Sequence, residues 1–90
     1  MKAGKFEGHN SAAARITENN GNYYLISYAT MVAELTREGW LRVNGLYTRT
    51  TKKHIGWFMH ELNSTYQFAK QLVFDNMEYN INTGEYRCAG

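Results

Sequence analysis

The side chains of this chain that could do chemistry are three histidines, one cysteine and a few serines. His54 and His60 are six residues apart, so they point in different directions on a helix. The run His60-Glu61-Leu62-Asn63 lacks the second histidine of a His-Glu-x-x-His zinc motif. Cys88 is close to the chain end, and no serine lies in a nucleophile-elbow sequence. We therefore expect a non-enzymatic protein with no metal ion, no cofactor and no catalytic residue.

A threonine-rich segment precedes two lysines and could bind an anion. Thr48, Thr50 and Thr51 lead into Lys52 and Lys53. Hydroxyls, ammonium groups and the free N–H groups of a helix start can together hold a phosphate. The segment has no glycine-rich loop, so it is not a nucleotide P-loop. Capping of the helix by Thr50 or Thr51 is the simpler interpretation.

The positive charge is concentrated in the middle of the chain. The net charge is only +2. Residues 37–60 carry five cations against one anion, whereas residues 61–90 carry two cations against four anions. Such asymmetry suits an anionic partner. A solvated surface with uneven charge is the alternative.

The first half of the chain predicts β-strands. Asn20-Gly21 is a typical two-residue hairpin turn. Aromatic and β-branched residues follow it, and residues 40–47 alternate between apolar and polar. The pattern predicts strands at about 12–18, 22–28, 31–35 and 40–47, after a loose lead-in over residues 1–10. Residues 31–35 also suit a helical turn.

The second half changes to helical spacing. Ile55, Phe58, Met59, Leu62 and Tyr66 lie on one helical face and predict a core stripe. We expect helices at about 51–62 and 65–77, with Ser64 and Gln67 in a capping box, or one kinked helix. Residues 85–88 suit a short final strand. The predicted fold class is α+β: one domain, 1–90, with an antiparallel β-meander of about four strands in two hairpins, packed by one or two C-terminal helices.

The face of the first helix opposite the core stripe carries Trp57, between Lys53 and His60. A tryptophan in that position needs a second packing surface, either from this chain or from a partner. The polar face of strand 40–47 adds another tryptophan and an arginine. The predicted partner-binding surface consists of Trp40, Arg42, Arg49, Lys53, Trp57 and His60.

Two motifs carry a resemblance to a known family. Ser27-Tyr28-Ala29-Thr30-Met31-Val32-Ala33 fits the pattern S-Y-x-T-x-V-A, and Gly45 to Phe58 fits G-x-Y-S/T-x-T-T-x-K/R-H-I-x-x-F. In these motifs the chain resembles a family of small phage and prophage proteins of unknown function. The resemblance covers roughly residues 25–62. It implies a viral or mobile-element origin and assigns no catalytic residue.

The resemblance, the abundant tyrosine and the outward tryptophans lead to one functional expectation. We expect a small phage-encoded protein that binds and inhibits a host protein, as anti-CRISPR-like defence inhibitors do. One alternative is a nucleic-acid-binding module of ribbon-helix-helix layout, in which Arg42 and Asn44 would touch base edges. Another is a phage structural or assembly component that forms a homodimer or larger homo-oligomer. The chain has no signal peptide and no membrane-spanning apolar run, so we expect it in the host cytoplasm without membrane association.

Overall fold

The computed structural model describes residues 1–6 and 13–90, which form one antiparallel sheet with two helices. Seven strands pair in chain order, and both helices lie between the fifth and sixth strands. The α+β class, the antiparallel meander and the two helices in the second half of the chain are thus confirmed. The strands are β1 Gly4–Lys5, β2 Ala14–Asn19, β3 Asn22–Ser27, β4 Thr30–Leu35, β5 Trp40–Val43, β6 Met77–Asn80 and β7 Tyr86–Cys88, and the helices are α1 Arg49–Glu61 and α2 Tyr66–Asp75.

The prediction of four strands is wrong because three strands are too short to show a period-two pattern. β1 has two residues, β6 has four and β7 has three. β7 lies within the short strand expected at residues 85–88. The predicted second helix, 65–77, included Met77, the first residue of β6. That helix ends earlier because Asn76 adopts a left-handed backbone, with φ 53° and ψ 48°, and Met77 then starts β6.

Both helices are capped by residues other than those predicted from the sequence. The side chain of Thr48 accepts a hydrogen bond from the N–H of Thr51, so α1 starts at Arg49 and neither Thr50 nor Thr51 is its cap. Thr65, not Ser64, caps α2 by accepting from the N–H of Phe68. β5 also ends at Val43, and residues 44–48 form a loop rather than the end of a strand.

The β2–β3 and β3–β4 turns lie at opposite ends of the sheet and are formed by different types of residue. Asn20 and Gly21 both have positive φ, 55° and 86°, and close the β2–β3 hairpin as predicted. At the opposite end, Tyr28 and Ala29 form the two-residue turn between β3 and β4. The β3–β4 register shifts after Leu25, which leaves one extra residue on β4 as a bulge.

The core lies between one face of the sheet and the two helices. α1 packs on β3 and β4, and α2 packs on β5 and β6. Ile55, Phe58 and Met59 of the predicted stripe are fully buried, whereas Leu62 and Tyr66 are partly buried. On the sheet, alternate residues face the helices, among them Leu25, Ala33, Leu41 and Val43. Neither of the two described helices packs on the opposite face of the sheet.

Some sequence predictions fall on residues 7–12, which lie outside the described part of the chain. These are the last four residues of the lead-in, the start of the first predicted strand, and His9 and Ser11. Neither of the two described helices is long and apolar enough to cross a membrane.

Candidate functional site

A buried chain of polar side chains joins the β3–β4 turn to the start of α1. The hydroxyl of Ser27 lies 2.9 Å from the hydroxyl of Thr51 and 2.8 Å from Nδ1 of His54. Thr51 also accepts a hydrogen bond from the hydroxyl of Thr48 at 3.3 Å. Ser27 and His54 are 2% and 1% exposed, so water does not replace these bonds. Residues 20 or more positions apart in sequence are therefore held together by specific polar contacts.

Thr48 donates to Thr51, whereas the bonds of Ser27 to Thr51 and to His54 allow either atom to be the donor. We assign the direction in which Thr51 donates to Ser27 and Ser27 donates to His54, because each hydroxyl then donates its one proton within the chain of side chains. Nδ1 of His54 is then an acceptor, which requires a neutral imidazole with its proton on Nε2. Burial, with a smaller contribution from the charge of Lys53, lowers the pKa of His54 below 6.5. The neutral imidazole is thus the form that this site stabilises near neutral pH.

Two tyrosines beside this polar chain point outward from an unusual backbone. Tyr28 follows Ser27 and Tyr47 precedes Thr48, and both have left-handed φ angles, 58° and 52°. Their side chains are 57% and 51% exposed. Bulky residues adopt this conformation rarely, at a cost of about 1 kcal/mol or more each. A Cβ at Gly45 would lie 3.3 Å from the Tyr47 ring, so a larger residue there would push this exposed ring slightly aside.

The first turn of α1 places positive charge next to these tyrosines. Arg49, Lys52 and Lys53 are exposed there, and this turn has no acidic residue. The positive end of the helix dipole points in the same direction, so the cations repel it. We call this surface, formed by Tyr28, Tyr47, Arg49, Lys52 and Lys53, the basic end.

Trp57 and His60 of the predicted surface lie further along α1. The Trp57 ring is 5.8 Å from the ring of Phe6 and 5.1 Å from that of His54, and Nζ of Lys53 lies 5.5 Å from its centroid. Trp57 is therefore half-buried in contacts within the chain, and the prediction that it faces outward is only partly right. His60 is exposed near the end of α1.

Trp40 and Arg42 lie on the other face of the sheet and do not join the basic end. They alternate with Leu41 and Val43, which face the helices. The guanidinium of Arg87 stacks 3.9 Å from the centroid of the Trp40 ring and donates to Glu78 at 2.6 Å. Arg42 also pairs with Glu78, at 3.7 Å. The six predicted residues thus form two separate groups, and Trp40 and Arg42 already have partners within the chain.

No other side-chain cluster in the described ranges suggests cofactor or metal chemistry. Within residues 1–6 and 13–90, no three side chains of histidine, cysteine or acidic residues come close enough to hold a metal ion. Cys88 is free and exposed on β7. His54 lies in the second turn of α1 and is buried.

Together, these observations define a small α+β domain in which hydrogen-bonded side chains join the end of β3 to the start of α1. The chain belongs to the family described as "Family of unknown function (DUF8033)", which it matches over residues 3–76. No curated protein matches the chain, and no solved structure does.

Proposed function

We propose that this protein is a small phage-encoded, non-enzymatic interaction protein that binds and inhibits a host protein through its basic end. The observation that carries this proposal is the pair of exposed tyrosines, Tyr28 and Tyr47, held in left-handed backbone conformations beside a cationic helix turn. The phage origin comes from the resemblance of the two motifs. Both motifs contribute residues to the basic end.

Strain at the two tyrosines supports a role in contact. Backbone conformations of this kind persist only where the surrounding structure fixes them, and they are frequent at binding sites. Here Ser27 and Thr48, the sequence neighbours of the tyrosines, both hydrogen-bond to the buried Thr51, although Thr48 itself is exposed. A tyrosine that is already held outward loses little conformational entropy on binding, and tyrosine and arginine are common hot-spot residues.

The charge at the basic end indicates the chemistry of the partner. An acidic surface would offset the repulsion between Arg49, Lys52, Lys53 and the helix dipole. Complementary charge also speeds association and disfavours basic competitors. We therefore propose an acidic surface on a host protein, which would place the site of action in the host cytoplasm.

The buried Ser27–His54 pair is consistent with a non-enzymatic protein. Serine and histidine at 2.8 Å form a nucleophile–base pair in many hydrolases. Here both side chains are almost fully buried, and the hydroxyl donates into a chain that anchors α1 to β3. We therefore assign the pair a structural role.

Nucleic acid is the second candidate partner. Exposed aromatic rings beside cations suit the stacking of unpaired bases. The ribbon-helix-helix layout is absent, because β5 pairs with β4 and β6 and so cannot pair with a strand of a second copy. Arg42 is also bound to Glu78. Any nucleic-acid contact is therefore proposed at the basic end, where a steep loss of affinity with salt would reveal it.

Affinity capture from a bacterial host lysate tests the proposal. The immobilised wild type is compared with Arg49→Glu/Lys53→Glu and with Tyr28→Ala, and Lys70→Glu on α2 is the matched charge-reversal control. We expect one host protein to be retained by the wild type and the control, and its retention to fall at least about tenfold in the other variants. The purified host protein should then lose its activity when the wild type is added.

The same experiment, repeated with nuclease-treated lysate, separates the two partner classes. Retention that survives nuclease supports a protein partner, whereas retention that disappears favours nucleic acid. If the Arg49→Glu/Lys53→Glu variant retains the same proteins as the wild type, the basic end is not the contact surface. The structural or assembly role then becomes the remaining proposal.

A further inference from the structure

The end of the molecule opposite the basic end contains a cavity with both apolar and polar walls. Its volume is about 270 Å³, and it opens between the α1–α2 turn and strands β5 and β6. Asn63 and Ser64 line its polar side. Pockets for drug-sized ligands measure roughly 300–1,000 Å³, so this cavity suits one large side chain better. Its apolar walls are Leu41, Leu62, Phe68, Tyr79 and Ile81.

Apolar groups at the cavity are accessible from solvent. Ile81 is 41% exposed. Tyr86 is also exposed, and its ring lies 4.9 Å from that of Tyr79 and 6.4 Å from that of Phe68. A recess that opens to solvent and combines aromatic rings with polar groups suits an amphipathic anchor side chain such as tyrosine.

Acidic residues surround this end, which we call the acidic end. Glu61 is the last residue of α1, next to Leu62 of the cavity wall. The backbone carbonyl of Glu38 accepts from Asn82, beside Ile81, and Glu85 precedes Tyr86. All three glutamates are exposed. Arg37 also lies at this end, where its side chain packs against Gly21.

The occupant that fits the acidic end is an aromatic side chain surrounded by cations, and the basic end of this chain presents one. α1 runs between the two ends, with Lys52 and Lys53 in its first turn and Glu61 as its last residue. Tyr28 lies at the tip of the two-residue β3–β4 turn and is the most exposed tyrosine in the described residues. Asp75 lies at the basic end, where its carboxylate accepts a hydrogen bond from Gln71.

We propose that the cavity at the acidic end receives Tyr28 of a second copy of the chain, with the lysines of that copy facing the glutamates around the cavity. The two surfaces in this contact differ, so association is head-to-tail and can continue beyond a dimer. The contact is small, and its dissociation constant is on the order of 0.1 mM. Self-association uses the basic end, so a second copy of the chain competes with the host partner for that surface. Self-association itself does not require the host partner.

Sedimentation of the purified protein gives the first test. The mean mass of the wild type should rise above that of the monomer between about 0.02 and 0.5 mM, and less so at high salt. Phe74→Ala, a change at an exposed aromatic residue of α2 outside both surfaces, should behave as the wild type does. A wild type that stays monomeric at about 0.5 mM overturns the proposal.

Mixing two variants gives the decisive test. Tyr28→Ala removes the anchor and keeps the cavity, whereas Ile81→Arg adds a cation at the cavity and keeps the anchor. Each variant alone should remain monomeric, and an equimolar mixture should form a dimer and nothing larger. Self-association of either variant alone at the wild-type level, or a mixture that stays monomeric, overturns the proposal. Circular dichroism of each variant verifies that it is folded.

Discussion

Replacement of Ser27 by alanine tests whether the buried polar chain holds the basic end in place. The change removes one hydroxyl and leaves two groups without their partner: Nδ1 of His54 and the hydroxyl of Thr51. Each buried polar group left unsatisfied costs about 1–3 kcal/mol. Thr51 can turn its hydroxyl towards Thr48, 3.3 Å away, and so recover part of the loss.

The expected loss for Ser27→Ala is therefore about 2 kcal/mol of unfolding free energy, most of it from His54. For a domain of this size that corresponds to a fall in Tm of roughly 10 °C. Urea unfolding measures the change directly, because the midpoint should shift while the slope stays constant. Ser64→Ala, in the α1–α2 turn, is the matched control and should stay within about 0.5 kcal/mol of the wild type.

A second readout separates this account from a general loss of packing. Without the hydroxyl, the neutral imidazole of His54 loses its donor, so the pKa of His54 should rise in Ser27→Ala. Titration of the histidine ring signals by NMR measures this rise. If Ser27→Ala unfolds at the same urea concentration as Ser64→Ala and leaves the pKa of His54 unchanged, the polar chain does not hold the basic end in place.

Three further predictions concern stability. The pKa of His54 is lowered on folding, so the stability that its neutral form contributes is complete above pH 6.5 and is lost as the pH falls below that value. His54→Gln should therefore reduce the pH dependence of urea midpoints measured from about pH 7 to 5, and an unchanged pH dependence would contradict this. Arg87→Ala leaves the buried Glu78 with only the longer contact to Arg42 and should lower the free energy of unfolding by about 1–2 kcal/mol, a modest loss because Arg87 is half-exposed. Arg15→Ala, at an exposed arginine, should be nearly neutral, and equal urea midpoints for the two variants would contradict this. Gly39→Ala should destabilise the fold by about 1–2 kcal/mol, since φ of Gly39 is +100° and the new Cβ would lie 2.5 Å from the Asn82 side chain. Gly56→Ala, within α1, should stabilise the fold by roughly 0.5–1 kcal/mol. Thermal unfolding that ranks the two variants the other way would refute the argument.

The sequence predicts the parts of this fold that depend on local patterns. The Asn20-Gly21 turn requires two positive φ angles, and both are observed. The buried stripe of α1 follows from 3.6-residue spacing, and Phe58 and Met59 are fully buried. Strands of two to four residues carry no such pattern, so β1, β6 and β7 were missed or only partly found.

The candidate site could be predicted only in part, because it depends on contacts between distant residues. A helical wheel places Trp57 opposite the core, but Phe6 comes from the other end of the chain to pack against it. Trp40 looks like an exposed aromatic residue until β7 brings Arg87 over its ring. His54 and Ser27 are 27 residues apart, and their motifs give no indication that the two side chains meet.

The two tyrosines were also missed as site residues, although both lie in the motifs that carry the resemblance. An alternating pattern places a strand residue on one face or the other, but Tyr28 and Tyr47 have positive φ and belong to a turn and a loop. Their outward direction depends on that backbone. Tyrosine has no preference for positive φ, so nothing in the sequence indicates it.

The central claim is that the basic end contacts the partner, and NMR titration tests it most directly. Labelled protein is titrated with the purified host protein that the wild type retains, and amide shifts are followed along the chain. We predict that the largest shifts fall at Tyr28, Tyr47 and residues 49–53, and that residues of the acidic end change little. Largest shifts at Trp40 and Arg42, on the other face of the sheet, would contradict the account.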